Sequence, residues 1–344
     1  MGLVMYWYDI VCVGIVVAAV VGAIVVLIQN EGKGIKAWSG QGEPKYESLA
    51  LPALEEDQEA HYTKGFVSSM CLWMTCWRCL HPAILGVFRF VAFIIMLLLL
   101  IWDIKIWTLT IFAYYTEWTF TLCIIYFGLA TLVSAHGCSQ LARRYFTKNE
   151  NERAKFLKRN PEEEENISEI ENQLERGLLK INSHQEWEQQ QKKRANFWGY
   201  AMQIIYQTCA GAVMMTDIVF WLVIVPFLRT ERFTVDFLMG SMHTVNAIFL
   251  FIDGGLNSMR FPWFRGAYFV LYTSLYVIVQ WILHACGMTW WPYPFLELST
   301  AWAPLWYFCL AIVCIICYGI FALFIKLKES CFPKWFPYAY QCLY

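Results

Sequence analysis

The sequence predicts an all-α fold, a polytopic membrane bundle of about seven transmembrane helices, and three observations carry that prediction. Of the 344 residues, 58% are apolar and only 15% charged, against about 25% charged in an average soluble domain. Apolar windows of the roughly 20 residues that a hydrocarbon core about 30 Å thick requires recur near 10–29, 83–102, 109–136, 203–228, 234–252, 264–285 and 303–325. Lys and Arg also alternate between successive loops, as the positive-inside rule expects. With the N-terminus outside, the cytoplasmic loops hold Lys33, Lys36, Lys45, Lys64 and Arg78, twelve basic residues from Arg143 to Arg194, then Arg260, Arg265, Lys326, Lys328 and Lys334. The outside loops hold Lys105, Arg229 and Arg232, and the C-terminus is cytoplasmic. Arg89, inside the second window, is expected to snorkel to the cytoplasmic interface.

Residues 1–29 form the first anchor: Ile10 to Ile28 carries no charge and no basic leader precedes it, which reads as a span rather than a signal peptide. Residues 30–82 read as a cytoplasmic polar loop ending in Cys71, Cys76 and Cys79. One Cys-x-x-Cys without a second pair is weak metal evidence, so no metal and no cofactor are expected, and these juxtamembrane cysteines are candidates for reversible palmitoylation. Spans two and three occupy 83–137. The charged loop 138–196 contains Pro161 to Glu165, a stretch with a disordered composition. There, Ile167, Ile170, Leu174, Leu178 and Ile181 recur at helical spacing, and the sequon Asn166-Ile167-Ser168 falls on the cytoplasmic side, where it stays unmodified. Spans four to seven fill 197–326, and 327–344 is a cytoplasmic tail. Trp73, Trp77, Trp290, Trp291, Trp335 and Tyr338 read as interfacial aromatic belts. Net charge is −1, so no basic field points to nucleic acid.

Polar residues inside spans are costly and turn inward, and four spans carry them at helical spacing. The fifth has Asp236, Gly240, His243, Asn246, Ala247, Asp253 and Gly254 on one face. The third has Thr116, Thr119 and Cys123; the sixth has Thr273, Tyr276, Gln280 and His284; the fourth has Gln203, Gln207, Gly211, Asp217 and Trp221. Small and polar inward residues ordinarily hold helices together. His243 and Asp217 invite more, because a base oriented by a carboxylate is the arrangement that activates a hydroxyl nucleophile. Thr116 and His243 lie at one depth only if the third helix begins near Thr108 to Thr110.

Met242-His243-Thr244, followed by Asp253 and by Arg260-Phe261-Pro262, resembles the core of the androgen-induced family of transmembrane threonine hydrolases. Trp281 to Met288, Trp291 and Tyr293-Pro294-Phe295-Leu296-Glu297 are similar to that family's downstream signature, with a short insertion before the tyrosine. Tyr114-Tyr115-Thr116 precedes Tyr126-Phe127-Gly128 at the spacing of the family's threonine. The resemblance covers roughly 110–325, with the acidic loop as an insertion and the first two spans outside it. Tyr115 to Thr119 is also similar to the rolling-stone group and to plant multi-pass membrane proteins.

The hydrolase resemblance implies cleavage of fatty-acid esters of hydroxy fatty acids, with Thr116 as nucleophile and His243 as base. Asp217, Asn246, Asp253, Trp281, His284 and Glu297 stand as supporting or orienting candidates, with Asn246, His284 or Trp281 as possible donors to an oxyanion. The partners expected are the bilayer, of the endoplasmic reticulum or the plasma membrane, and a lipid ester. The rolling-stone resemblance implies instead a non-enzymatic scaffold or cell-interaction protein. A receptor or transporter fits the span count but lacks Asp-Arg-Tyr, Asn-Pro-x-x-Tyr or two-fold repeat signatures. Oligomeric state is not encoded in any of these features.

Overall fold

A computed structural model describes residues 6–39, 67–157, 193–227 and 237–341. Seven helical segments in it are long and apolar enough to cross a membrane, and among the described residues no strand forms, only three isolated bridges. The protein is a multi-pass integral membrane protein. Helices satisfy every backbone group internally, which hydrocarbon demands. In chain order they are α1 (Trp7–Ser39), α2 (Pro82–Trp107), α3 (Tyr115–Leu157) and α4 (Phe197–Val219). The fifth span is split into α5 (Phe237–Met242) and α6 (Val245–Leu256), followed by α7 (Gly266–Ala285) and α8 (Ala303–Trp335).

Local chemistry sets the helix ends. Pro82 opens α2, where its missing N–H costs nothing, and the His81 side chain accepts from Ala83 N at 3.2 Å. Thr108 closes α2 at φ 63, a left-handed conformation that a β-branched residue adopts only under tertiary constraint. Asn196 caps α4 by accepting from Gly199 N at 3.0 Å. Helix α4 is the hub, packing against α3, α7 and α8. Gly211 permits this: a Cβ there would stand 2.4 Å from the Phe269 ring of α7. One apolar cluster joins α2, α3, α4 and α6 through Met96, Phe120, Tyr126, Met202 and Leu250. The other joins α1, α4, α7 and α8 through Cys12, Val16, Met215, Phe269 and Tyr307.

Several expectations are corrected. The third helix begins at Tyr115, after a 3-10 stretch Thr108–Ala113, and not near Thr108. At its other end it runs on as helix to Leu157, past residue 138, the expected start of the charged loop. Residues 67–81 are not a loose loop but a folded cap on the bundle end, with Cys76 N donating to Leu256 O and Arg78 N to Ala339 O. Cys71 and Cys76 are consequently buried, and only Cys79 of the three acylation candidates is exposed. Trp73 is likewise packed inside, against α3 at Gly137. The tail is helical to Trp335, and Lys328 is buried, donating to Gly254 O and Asn257 O at 2.9 Å each.

Arg89 does not snorkel. It is fully buried, with Nε 2.7 Å from Asp253 Oδ1 and Nη1 donating to Leu72 O and Ser134 Oγ, both at 2.8 Å. Snorkelling fails because the 67–81 cap covers that end of the helix and Asp253 supplies a counter-charge inside. Asp236 and the segment from Pro161 to Ile181, with its sequon, lie outside the described residues.

Candidate active site

The inward polar residues divide into turn-holders and a reactive cluster. In α7, Tyr276 Oη and Gln280 Nε2 both donate to Ala113 O, at 2.7 and 3.0 Å. In α4, Gln203 and Gln207 both donate from Nε2 to Arg260 O, at 2.6 and 3.0 Å. These stripes fix carbonyls in turns where no helical partner exists. The α7 pair thereby pins the start of α3, and so the position of Thr116 in its first turn.

Two irregularities carry His243 to Thr116. The fifth span breaks at His243 and Thr244, between α5 and α6. At its end α4 widens into a π-helical turn, Phe220–Ile224, an irregularity that re-aims side chains. Phe220 stacks on the imidazole at 3.7 Å between centroids and 5° between planes. The Trp221 indole donates to His243 O at 3.4 Å. The ring is thus held on its face and by its own backbone.

Thr116 Oγ1 lies 3.4 Å from His243 Nε2. On the other edge of the ring, His243 Nδ1 is 3.7 Å from Asp217 Oδ1. For Thr116 to donate its hydroxyl proton, the ring must carry its own proton on Nδ1, the edge that faces Asp217. The Asp217 side chain also meets Asn246 and accepts from Thr216 Oγ1 at 3.5 Å. The hydroxyl is thus within hydrogen-bond reach of the imidazole, while Asp217 faces the other edge of the ring at a distance too long for a hydrogen bond.

Tyr293, named by the sequence only as part of a signature, joins this cluster. Tyr115 N donates to its hydroxyl at 3.1 Å, and that hydroxyl also neighbours the side chain and N–H of Thr116. Burial pushes the phenol up to about 12, so it remains a protonated donor at neutral pH. It sits at the N-terminus of α3, the positive end of the helix dipole. The signal that could have found it was its position: a polar aromatic between two loop prolines, Pro292 and Pro294.

The cluster lies at one end of a cavity of about 380 Å³, within the range of small-ligand sites. Thr116, Thr216, His243 and Tyr293 line the polar end; Val16, Met215, Val277 and Leu310 are among its apolar walls. The first and last spans, α1 and α8, contribute to these walls, where the sequence stripes had implicated spans three to six.

Of the supporting candidates, Asp217 and Asn246 stand beside His243 and four others stand elsewhere. Asp253 belongs to the Arg89 cluster, accepting from Tyr126 Oη at 2.5 Å and Asn257 Nδ2 at 2.8 Å. Trp281 Nε1 donates to Tyr307 Oη at 2.9 Å, which donates to Leu296 O at 3.0 Å, so it anchors the loop that bears Tyr293. His284 stacks on Trp291 at 4.1 Å. Glu297 accepts from Ser299 in the same loop. No group of His, Cys, Asp and Glu among the described residues has metal-binding geometry. Comparison with known protein families, with curated proteins and with solved structures found no match.

Proposed function

We propose that the protein is an intramembrane hydrolase of lipid esters with Thr116 as nucleophile and His243 as general base, the class that resemblance to the androgen-induced family implies. The observation that carries this is the 3.4 Å approach of Thr116 Oγ1 to His243 Nε2 at the polar end of an apolar cavity. A threonine hydroxyl is inert until a base removes its proton in the act of attack. Such a base is in reach here, and Asp217 faces the opposite edge of its ring.

In the first half-reaction, Thr116 Oγ1 bonds to the ester carbonyl carbon while its proton passes to His243 Nε2. Negative charge gathers on the carbonyl oxygen, where the Tyr293 hydroxyl and the α3 N-terminus favour it. The intermediate collapses, the bond to the leaving oxygen breaks, and His243 returns the proton to that oxygen, releasing an alcohol. Water then attacks the acyl-threonine, giving a proton to His243 that passes back to Thr116 Oγ1 as the carboxylic acid leaves.

Membranes containing the full chain should be labelled by a fluorophosphonate probe and should cleave long-chain esters. Thr116→Ala and His243→Ala should lose both. A wild-type protein that is neither labelled nor active would contradict this reading and favour the scaffold role that the rolling-stone resemblance implies.

A further inference from the structure

Helix α1 lies outside the region of family resemblance, and most of its surface faces outward: Val13, Val17, Val21 and Ile24 are exposed. It packs chiefly on α7 and α8. Yet Ile15, Val16 and Ala19 line the cavity whose polar end holds Thr116 and His243. Helical register shows how deep each of these residues reaches.

Three helices agree on that depth. Tyr276 Oη meets Ala113 O, so Tyr276 is level with the start of α3. Val270, also in the wall, lies six residues earlier in α7, about 9 Å deeper at 1.5 Å per residue. Tyr307 meets Leu296 O beside the Tyr293 loop, and the lining residue Ile315 is about 12 Å further along α8. Tyr307 also neighbours Asp9 and Cys12 of α1, and Ala19 lies about 10 Å beyond Cys12. The cavity therefore runs some 10 Å from the reactive pair along the bundle axis. Ala19, Val270 and Ile315 form its far end.

Resting on the hydrolase reading, we propose that α1 is the chain-length wall of an acyl chamber, with Ala19 as the specificity-determining residue at its far end. A tube with apolar sides and a reactive hydroxyl at one end suits a single unbranched acyl chain lying along the axis. Ala19 of α1 and Ala311 of α8 are the two alanines among the lining residues. Their small side chains leave the space that the distal methylenes would fill. Ile315 is 71% exposed as well as lining the chamber, so the far end borders the lipid-facing surface beside α8.

The test uses the full chain in lipid nanodiscs and 4-nitrophenyl esters of butanoate, octanoate and hexadecanoate. Ala19→Phe should lower hexadecanoate cleavage about tenfold or more relative to butanoate, the scale on which pocket shape discriminates apolar groups. Ala311→Phe, from the opposing helix, should shift the profile in the same direction. Val17→Phe adds the same bulk to the 54% exposed face of α1 and should leave the profile as in wild type. Equal loss at all lengths, or an unaltered profile in both alanine variants, would overturn the proposal.

Photocapture with diazirine-bearing fatty acids of the two longer lengths reads binding without turnover. Wild type should capture both, and Ala19→Phe only the shorter. That capture pattern without any ester cleavage would leave the wall standing and remove the hydrolase. Cleavage with one length profile in every variant would do the reverse. No capture by wild type would overturn the chamber itself.

Discussion

The bundle buries two polar clusters, one at each end of the fifth span, and they differ in how completely their groups are partnered. Around Asp253, the Arg89 guanidinium, the Tyr126 hydroxyl and the Asn257 amide all converge on one carboxylate, and Tyr206 Oη beside them is the group there left without a hydrogen-bond partner among the described residues. Lys328 donates to two carbonyls nearby. Around His243, the ring Nδ1, Asp217 Oδ2 and Asn246 Nδ2 are buried without a hydrogen-bond partner. Unpaired buried polar groups cost free energy, so a fold retains them chiefly where another molecule completes them. This second cluster opens on a cavity. The comparison teaches that burial of charge in a membrane bundle does not mark a reactive site; incomplete partnering beside a cavity does.

Substitutions should separate the two ends cleanly. Thr116→Ala and His243→Ala are expected to lower ester turnover by about 10²–10⁴-fold, the usual worth of general base catalysis, while thermal unfolding in nanodiscs stays near wild type. A parallel loss of stability would mean that the two clusters do not differ in kind.

At the other end, Asp253→Ala leaves the Arg89 charge buried without its partner, which costs on the order of 3–5 kcal/mol. Reduced yield and an earlier unfolding transition are expected, and Arg89→Met in the same chain should recover part of the loss. Failure of the second change to rescue would show that Tyr126 and Asn257, rather than the ion pair, hold that end together.

Tyr293→Phe removes one donor without changing shape, so turnover should fall up to about 10²-fold with little change in KM. An unaltered rate would restrict Tyr293 to holding the start of α3. The smallest perturbation is a label. Cys286 and Cys79 are both exposed and lie at the His243 end and the Asp253 end. If the Lys and Arg count sets orientation, an impermeant maleimide should reach Cys286 in intact cells and Cys79 only after permeabilisation. The reverse pattern would invert the bundle.

Much of the fold was legible because apolar windows and helical periodicity are local properties. Each of the seven windows overlaps an observed span. The inward stripes of α4 and α7 were legible for the same reason, although their work of holding Arg260 O and Ala113 O required the turns to be in place. What escaped depended on tertiary context. The break at His243 follows the Gly240-Ser241 pair, a local kink signal, whereas the start of α3 at Tyr115 is held by two side chains from α7, far along the chain. The depth conflict between Thr116 and His243 disappears because of the break at His243 and the π-helical turn that ends α4, and not because of where α3 begins. Arg89 looked like a residue able to reach water because its partner lies 164 positions away. In the same way, Cys71 and Cys76 looked accessible until the 67–81 segment was seen folded onto α6 and α8.

The most direct test of the central claim is peptide mass spectrometry of the full chain after a long-chain ester is added and the reaction quenched in acid. One acyl group on the peptide containing Thr116, absent in Thr116→Ala, is the predicted result. Ester cleavage by wild type with the acyl group on another residue, or with none trapped and an undiminished rate in Thr116→Ala, would contradict it.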